Sequence, residues 1–346
     1  MHNLQLTEDQ EMVVDTVRKL VADTVAPKVQ EFDEHRTFVR EWFDALAELG
    51  VYGLSLREGS GGAEMGLVPY VAALESIGEQ SGSLARIWIG QMQAALALEQ
   101  AGADLDEVAA GAKLAVFVGA EHGFTVTDGR VTGDAELVPA AIEADIFLIA
   151  ARDGDAQALI QVEAAACERE ALHSLGLNSA ACGRVRCVGV SGASLDNAGA
   201  AIARAELAGL LGVAAASVGG AAGAIQAAKK HAGERIAFGK PLLAQQAVQR
   251  KLVECSRAVS AGRQLAWHAA RLIDLGEGGD RAAIEARIVA VDAMIFASDE
   301  AIQIHGGFGY TVEYHVERHY RDAATFEVLD GGSGALRDRL ASLQFS

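Results

Sequence analysis

The sequence predicts a mainly α chain in which a small β domain sits between two helical regions. Three observations carry this. Hydrophobic residues make up 51% of the 346 positions but aromatic ones only 5%, with four prolines, so the core is built from Ala, Val, Leu and Ile, and abundant Ala favours helix. Apolar residues recur at helical spacing in the first hundred positions and again after Ala201. Between these stretches the period changes to short apolar runs separated by turn residues.

Residues 4–26 read as an amphipathic helix. Thr7 with Gln10 makes a capping box, Val13, Val17, Leu20 and Val21 form one face, and Pro27 ends or bends it. A second helix covers 41–49 and stops at Gly50, 56–62 is a loop by composition, and helices resume over 67–80 and 83–101. Strand-like runs begin after Lys113 with 115–118. Residues 124–127 and 131–132 flank Asp128-Gly129, a hairpin signal, and 146–150, 158–162 and 184–190 follow. From 201 to 275 the helical pattern returns. After a turn at 276–280, a long helix carries Ile284, Ile288, Val291, Met294, Ile295 and Ile302 at roughly helical intervals. The expected domains are 1–112 (helical), 113–195 (β, shortened) and 196–346 (helical).

A net charge of -18 argues against nucleic acid or an anionic membrane as partner. Any anionic ligand must then be held by local arginines or helix N-termini. Four cysteines, Cys167, Cys182, Cys187 and Cys255, show no metal spacing and no dense framework, which predicts a reducing cytoplasm. The acidic, polar N-terminus predicts no signal peptide. Residues 207–228 are uncharged over a length that could span a bilayer, but they are mostly Ala and Gly, and the expectation is a buried helix with close neighbours.

The stretch from Ala301 to Asp330 draws most attention. Its helix meets Gly306-Gly307, which ends a helix readily and lets a phosphate or an adenine approach backbone; an ordinary helix stop is the other reading. Asp330 precedes Gly331-Gly332, a carboxylate at the mouth of a turn. His315 and His319, at i and i+4 with Glu313 and Glu317 interleaved, have metal-face spacing, but solvated positions explain them better, and no metal is expected. Ser60-Gly61-Gly62 lacks the preceding strand a phosphate cradle needs. Cys255 reads as core.

Two motifs in order resemble a known family. Gln303-Ile304-His305-Gly306-Gly307-Phe308-Gly309-Tyr310, then Val316-Glu317-Arg318 and Arg321-Asp322-Ala323, is similar to the C-terminal signature of the acyl-CoA dehydrogenases. Arg235-Ile236-Ala237-Phe238-Gly239-Lys240-Pro241-Leu242, with Gln246 downstream, resembles the family's Arg-x-x-Phe-Gly-x-Pro segment. The resemblance is strong over 200–325, fair over 1–100 and poor between. It implies the acyl-CoA dehydrogenase fold, with a helical N-terminal domain, a small β-barrel-like middle domain and a C-terminal four-helix bundle. It also implies FAD as cofactor and an acyl-CoA substrate desaturated between its α and β carbons. A carboxylate takes the α-proton while hydride leaves for the flavin, and the resemblance puts that base nine residues after Arg321, at Asp330. The usual residue is Glu, one methylene longer, and reach matters in proton abstraction. Gly331 beside it is the implied substrate contact.

The departures from the family form a pattern. The middle-domain loop expected to pack on the flavin is reduced to Gly119-Ala120-Glu121-His122-Gly123. The expected aromatic-Ile-Thr/Ser triplet falls on Leu137-Val138-Pro139, without the hydroxyl and with Pro139 lacking an N–H donor. The Arg at the first C-terminal helix falls on Leu210, and the Gly-Thr-x-Glu after the base is Gly331-Gly332-Ser333-Gly334. In the family, those parts come from the subunit that owns the flavin. The parts that reach across from its neighbour survive here as Arg235, Phe238, Gln246 and the turn Gln303, Ile304, His305, Gly306 and Gly307. The chain therefore resembles the short subunits of heterotetrameric, steroid side-chain type acyl-CoA dehydrogenases, and completing a partner's flavin site is the first expectation. The expected partners are a paralogue, in a homo- or hetero-oligomer, and an electron-transfer flavoprotein. Two other readings stand open: a complete divergent dehydrogenase or oxidase using Asp330, and a structural subunit without flavin. The Ala/Gly-rich helix at 207–228 adds the expectation of an oligomer built on C-terminal helices.

Overall fold

The computed structural model describes residues 5–345, and 61% of the chain is helical. Among the described residues, six α-helices precede the strands: α1 (Glu8–Leu20), α2 (Val29–Glu34), α3 (Arg40–Glu48), α4 (Val68–Gln80), α5 (Gly82–Ala101) and α6 (Asp106–Ala109). Then come β1 (Ala115–Val118), β2 (Phe124–Thr127), β3 (Arg130–Val138), β4 (Ile146–Asp153), β5 (Ala156–Glu163), β6 (Glu168–Ala171), β7 (Gly183–Ser191) and β8 (Ala193–Ser194). The C-terminal part is α7 (Ala198–Glu234), a small hairpin of β9 (Ile236–Ala237) and β10 (Lys240–Pro241), α8 (Gln246–Asp274), α9 (Asp280–His305), α10 (Val316–Val328) and α11 (Gly332–Phe345). The Thr7–Gln10 capping box forms, with Gln10 N–H donating to the Thr7 hydroxyl at 3.3 Å and Thr7 N–H donating to the Gln10 side chain at 3.0 Å. One π turn, Val21–Val25, leads α1 to Pro27.

Two compact units result. One comprises Glu31–Tyr70 and Arg86–Gly209, the other Met1–Gln30, Val71–Ala85 and Leu210–Ser346. The first holds the eight-stranded sheet, a curled half-barrel, in the order β6-β7-β3-β2-β4-β5-β8, with β1 pairing parallel to β4. Asp128 and Gly129 both take positive φ, 51° and 70°, as a two-residue hairpin turn requires. The side chain of buried Gln91, on α5, serves the start of this sheet. Its amide donates to the carbonyls of Val108 (2.7 Å) and Lys113 (2.9 Å) and accepts from the Ala115 N–H at 2.8 Å. A buried amide with its bonds made in this way fixes where the chain enters β1.

In the other unit, α9 is buried along its length and packs against α8, α10 and α11. The 18-residue window of α7 that has the length and apolarity of a membrane span is 89% buried. Its small residues have a partner within the same chain. A Cβ on Gly219 would run into the Glu75 carbonyl oxygen and lie 2.7 Å from the Glu79 nitrogen, and Gly78 meets the Ala216 backbone in the same way. The Ala/Gly-rich stretch is thus the buried helix with close neighbours that its composition predicts, and its close approach within the chain is made to α4. Cys255 is buried, and burial pushes its thiol up to about 11, as suits a core position.

Candidate functional site

The residues that the sequence singles out between Arg235 and Gly307 are gathered by one apolar cluster. Ala224, Ala228 and Ala232 of α7, Ala301, Ile302 and Ile304 of α9, and Val316 form its core. Leu242, Leu243, Val248 and Leu252 from the hairpin exit and α8, and Tyr314, pack against it. The cluster therefore holds the end of α7, the start of α8 and the end of α9 at one place. Above it, His231 and His305 stack at 4.3 Å, and Tyr314 meets both rings edge-on at 5.7 and 5.8 Å. His305 Nδ1–H donates to the Ala301 carbonyl oxygen at 2.8 Å. Burial holds His305 below the ordinary imidazole range, against that hydrogen bond. Burial also lowers His231, with His305 and Arg235 adding to the effect and Glu234 opposing it. Two neutral rings can stack face to face where two imidazolium ions would repel.

From this base the sequence-identified residues reach the surface. Arg235 follows α7, where its N–H closes on the His231 carbonyl at 2.9 Å and its carbonyl accepts from Leu242 at 2.8 Å; its side chain is exposed. Phe238 sits at the hairpin tip with φ 53° and is 98% exposed. A bulky aromatic rarely takes that conformation, and full exposure leaves its ring without contacts inside the chain. Gln246 is the first residue of α8 and Gln303 lies in the last turn of α9; both are exposed. Ile304 and His305 point inward and brace the turn. Gly306 has φ 65° and ψ -140°, a region that only glycine enters without strain. No atom lies within 4 Å of a Cβ built on Gly306 or Gly307, so the backbone there is open to approach. Ile236, Phe308, Tyr310 and Val312 add exposed apolar surface on the same segments.

Asp330 is placed differently. It has φ 53°, its side chain is 26% exposed, and its Oδ2 lies 3.6 Å from Arg287 Nη1. Arg287 is only 1% exposed, and its Nη2 donates to the Leu329 carbonyl oxygen at 2.5 Å. The carboxylate thus faces a buried guanidinium. The sequence reading missed Arg287, yet it carried a signal: an arginine at i+3 from Ile284 and next to Ile288, inside a helical apolar run. Gly331 is exposed, and the Ser333 hydroxyl donates to Glu327 at 2.6 Å.

The other positions named from the sequence belong to other elements. After β1, residues 120–122 form a single 3-10 turn, and the Glu121 carboxylate folds back over Gly119, where a Cβ would lie 2.7 Å from its carboxyl carbon. Leu137 has φ 53° at the end of β3, where the register with β7 is irregular. Leu210 is buried in α7. His319 is buried inside its unit while His315 is exposed, so the i, i+4 pair offers no common face to a metal, and among the described residues no three His, Cys, Asp or Glu side chains converge.

Comparison with known proteins shows the family. Residues 197–343 match the family model for the acyl-CoA dehydrogenase C-terminal domain, and residues 7–105 match the model for the N-terminal domain. A probable acyl-CoA dehydrogenase of Bacillus subtilis is 27% identical over 96% of both chains. The human mitochondrial short-chain specific acyl-CoA dehydrogenase is 27% identical over 96% of this chain and 89% of its own. Among solved structures, the butyryl-CoA dehydrogenase of Megasphaera elsdenii superposes with a TM-score of 0.92 over 100% of both chains, at 23% identity.

Proposed function

Because this chain belongs to the acyl-CoA dehydrogenase family, whose members are FAD-dependent oxidoreductases acting on CH–CH bonds, we propose that it serves as one subunit of such an enzyme and completes a partner's flavin site. The observation that carries this reading is the surface built on the His231–His305 stack. There a fully exposed Phe238, exposed Arg235, Gln246 and Gln303, and the open Gly306-Gly307 backbone share one apolar base.

That surface fits one half of a flavin dinucleotide. Arg235 would hold a phosphate through charge-assisted hydrogen bonds. Phe238 offers a flat ring to a flat heterocycle, Gln246 and Gln303 offer amides, and Gly306-Gly307 offers backbone without side-chain obstruction. The bound flavin supplies the hydride acceptor. The chain's own half does not fit. The Glu121 carboxylate over Gly119 brings negative charge where a pyrophosphate would lie, Leu137-Val138-Pro139 has no hydroxyl and Pro139 no N–H, and the Ser333 hydroxyl is engaged by Glu327. Asp330 turned toward buried Arg287 acts in this reading as an anchor of the α10–α11 connection, the base coming from the partner. The substrate of the complex is an acyl-CoA of the lipid or steroid class and its electrons pass to an electron-transfer flavoprotein, assignments that rest on the sequence resemblance; that it works in the cytoplasm rests on the cysteine usage.

The test is to purify the chain alone and together with a full-length family paralogue. Little flavin on the isolated chain and a full complement in the complex are expected. Arg235→Ala should weaken flavin retention by the complex about ten-fold or more, from the ~1.5–3 kcal/mol of a charge-assisted bond. Tightly retained, stoichiometric flavin on the chain alone would overturn the proposal in favour of a complete enzyme. No flavin in any combination would favour a structural subunit.

A further inference from the structure

Two thiols of the β domain lie against each other. Cys167 stands one residue before β6, and Cys187 lies within β7. The β6–β7 ladder is antiparallel and pairs Glu168 with Arg186, Arg169 with Val185 and Glu170 with Arg184. One more step of the same register sets Cys167 directly opposite Cys187. Residues so opposed have Cα atoms about 4.5–5.5 Å apart, inside the ~4.4–6.8 Å that a disulfide spans. The sulfurs are 3.2 Å apart, both thiols are free, and the two residues are 8% and 1% exposed. Closing the bond, to about 2.05 Å, calls for side-chain rotation rather than backbone movement.

The pair is also chemically asymmetric. The hydrogen bond from Cys187 pulls the Cys167 thiol below its ordinary range, against burial, with the Arg169 guanidinium helping. The same contact and burial push Cys187 up. Cys167 is therefore the more thiolate-like sulfur, on the less deeply buried of the two residues, and thiolate character decides which cysteine reacts first.

We propose that Cys167 and Cys187 form an oxidisable dithiol that a hydroperoxide converts to a disulfide within the β domain. The Cys167 thiolate attacks the peroxide O–O bond, which breaks, leaving a sulfenic acid on Cys167 and releasing water, or an alcohol from an alkyl hydroperoxide. The Cys187 sulfur then attacks the sulfenic sulfur. The S–O bond breaks, the oxygen leaves as water with the Cys187 proton, and the S–S bond forms. Two electrons pass from the two sulfurs to one peroxide, and an added dithiol reverses the change. The product ties the edge strand β6, held otherwise by four residue pairs with β7, to the body of the sheet.

The test treats the folded full-length chain with hydrogen peroxide, alkylates the remaining thiols, and maps the peptides. The expected result is a loss of two hydrogens in intact mass, a fall from four alkylatable thiols to two, and one peptide linking Cys167 to Cys187 that dithiothreitol releases. In Cys187→Ser the reaction should stop at a sulfenic acid on Cys167, trapped by dimedone. In Cys167→Ser, Cys187 should stay reduced. Oxidation of Cys255 or Cys182 at the same rate, a link that forms only after denaturation, or unreacted Cys167 in the wild-type chain would each overturn the proposal.

Discussion

Replacing Asp330 by Asn separates an anchor from a base, because the two roles leave different signatures. Asn keeps the shape of the side chain and tolerates φ 53° at least as well as Asp, so neither cavity nor backbone strain is introduced. What is lost is the charge facing Arg287. Removing one partner of a fully buried ion pair costs about 3–5 kcal/mol, whereas an exposed pair contributes ~0–1 kcal/mol. Here one end is 1% exposed and the other 26%, the separation is 3.6 Å, and Arg287 keeps its bond to the Leu329 carbonyl. A loss of about 2 kcal/mol follows. With an unfolding entropy of ~2.1 cal/mol/K per residue, that is roughly 3 °C in Tm for a chain of this length. Scanning calorimetry and urea unfolding of the variant measure this, and turnover of the reconstituted complex is measured on the same preparation. The expectation is a less stable chain whose complex retains nearly full activity and flavin. An undiminished Tm together with abolished α-proton abstraction and a full flavin complement would refute the anchor role.

Two further outcomes follow from the helical unit. Burial holds His319 down to about 3, with Arg318, His315 and Arg321 adding, so between that value and ~6.5 the unfolded chain binds a proton that the folded chain does not. Stability should therefore fall as pH drops below about 6.5, by up to ~1.4 kcal/mol per unit; urea midpoints at pH 7 and pH 5 check this, and His319→Gln should flatten the dependence. Gly219→Ala, whose Cβ would meet the Glu75 and Glu79 backbone, should destabilise by about 1–3 kcal/mol despite better helix propensity, whereas Gly233→Ala, with open space around it, should gain about 0.5 kcal/mol; equal effects at the two sites would contradict the α4–α7 crossing.

What could be read from the sequence divides along physical lines. Signals that act through local backbone chemistry were legible: the Thr7–Gln10 cap, the Asp128-Gly129 turn, and the helix stop at Gly306. Elements that local chemistry does not mark were not. β6 is exposed at all four positions and so has no alternation to detect, and it exists because β7 pairs with it. β8, with two residues, is too short to show a period. Arg287 was overlooked because its partner lies on another element, and a sequence states burial only through spacing. The small residues of α7 show the same limit. Composition says that a backbone can come close, and only the fold says that the backbone is that of α4.

That crossing has a consequence for how the protein is made. Residues 75–79 are synthesised early, yet the backbone they lie against, around 216–223, leaves the ribosome only after the entire eight-stranded sheet. A contact so distant in sequence forms slowly, and an apolar surface left waiting invites aggregation. Translation that stops at residue 209 would yield every strand of the sheet and no counterpart for α4. The success of each synthesis is thus decided late, when α7, about 55 Å long at ~1.5 Å per residue, arrives to be covered by a helix made well before it.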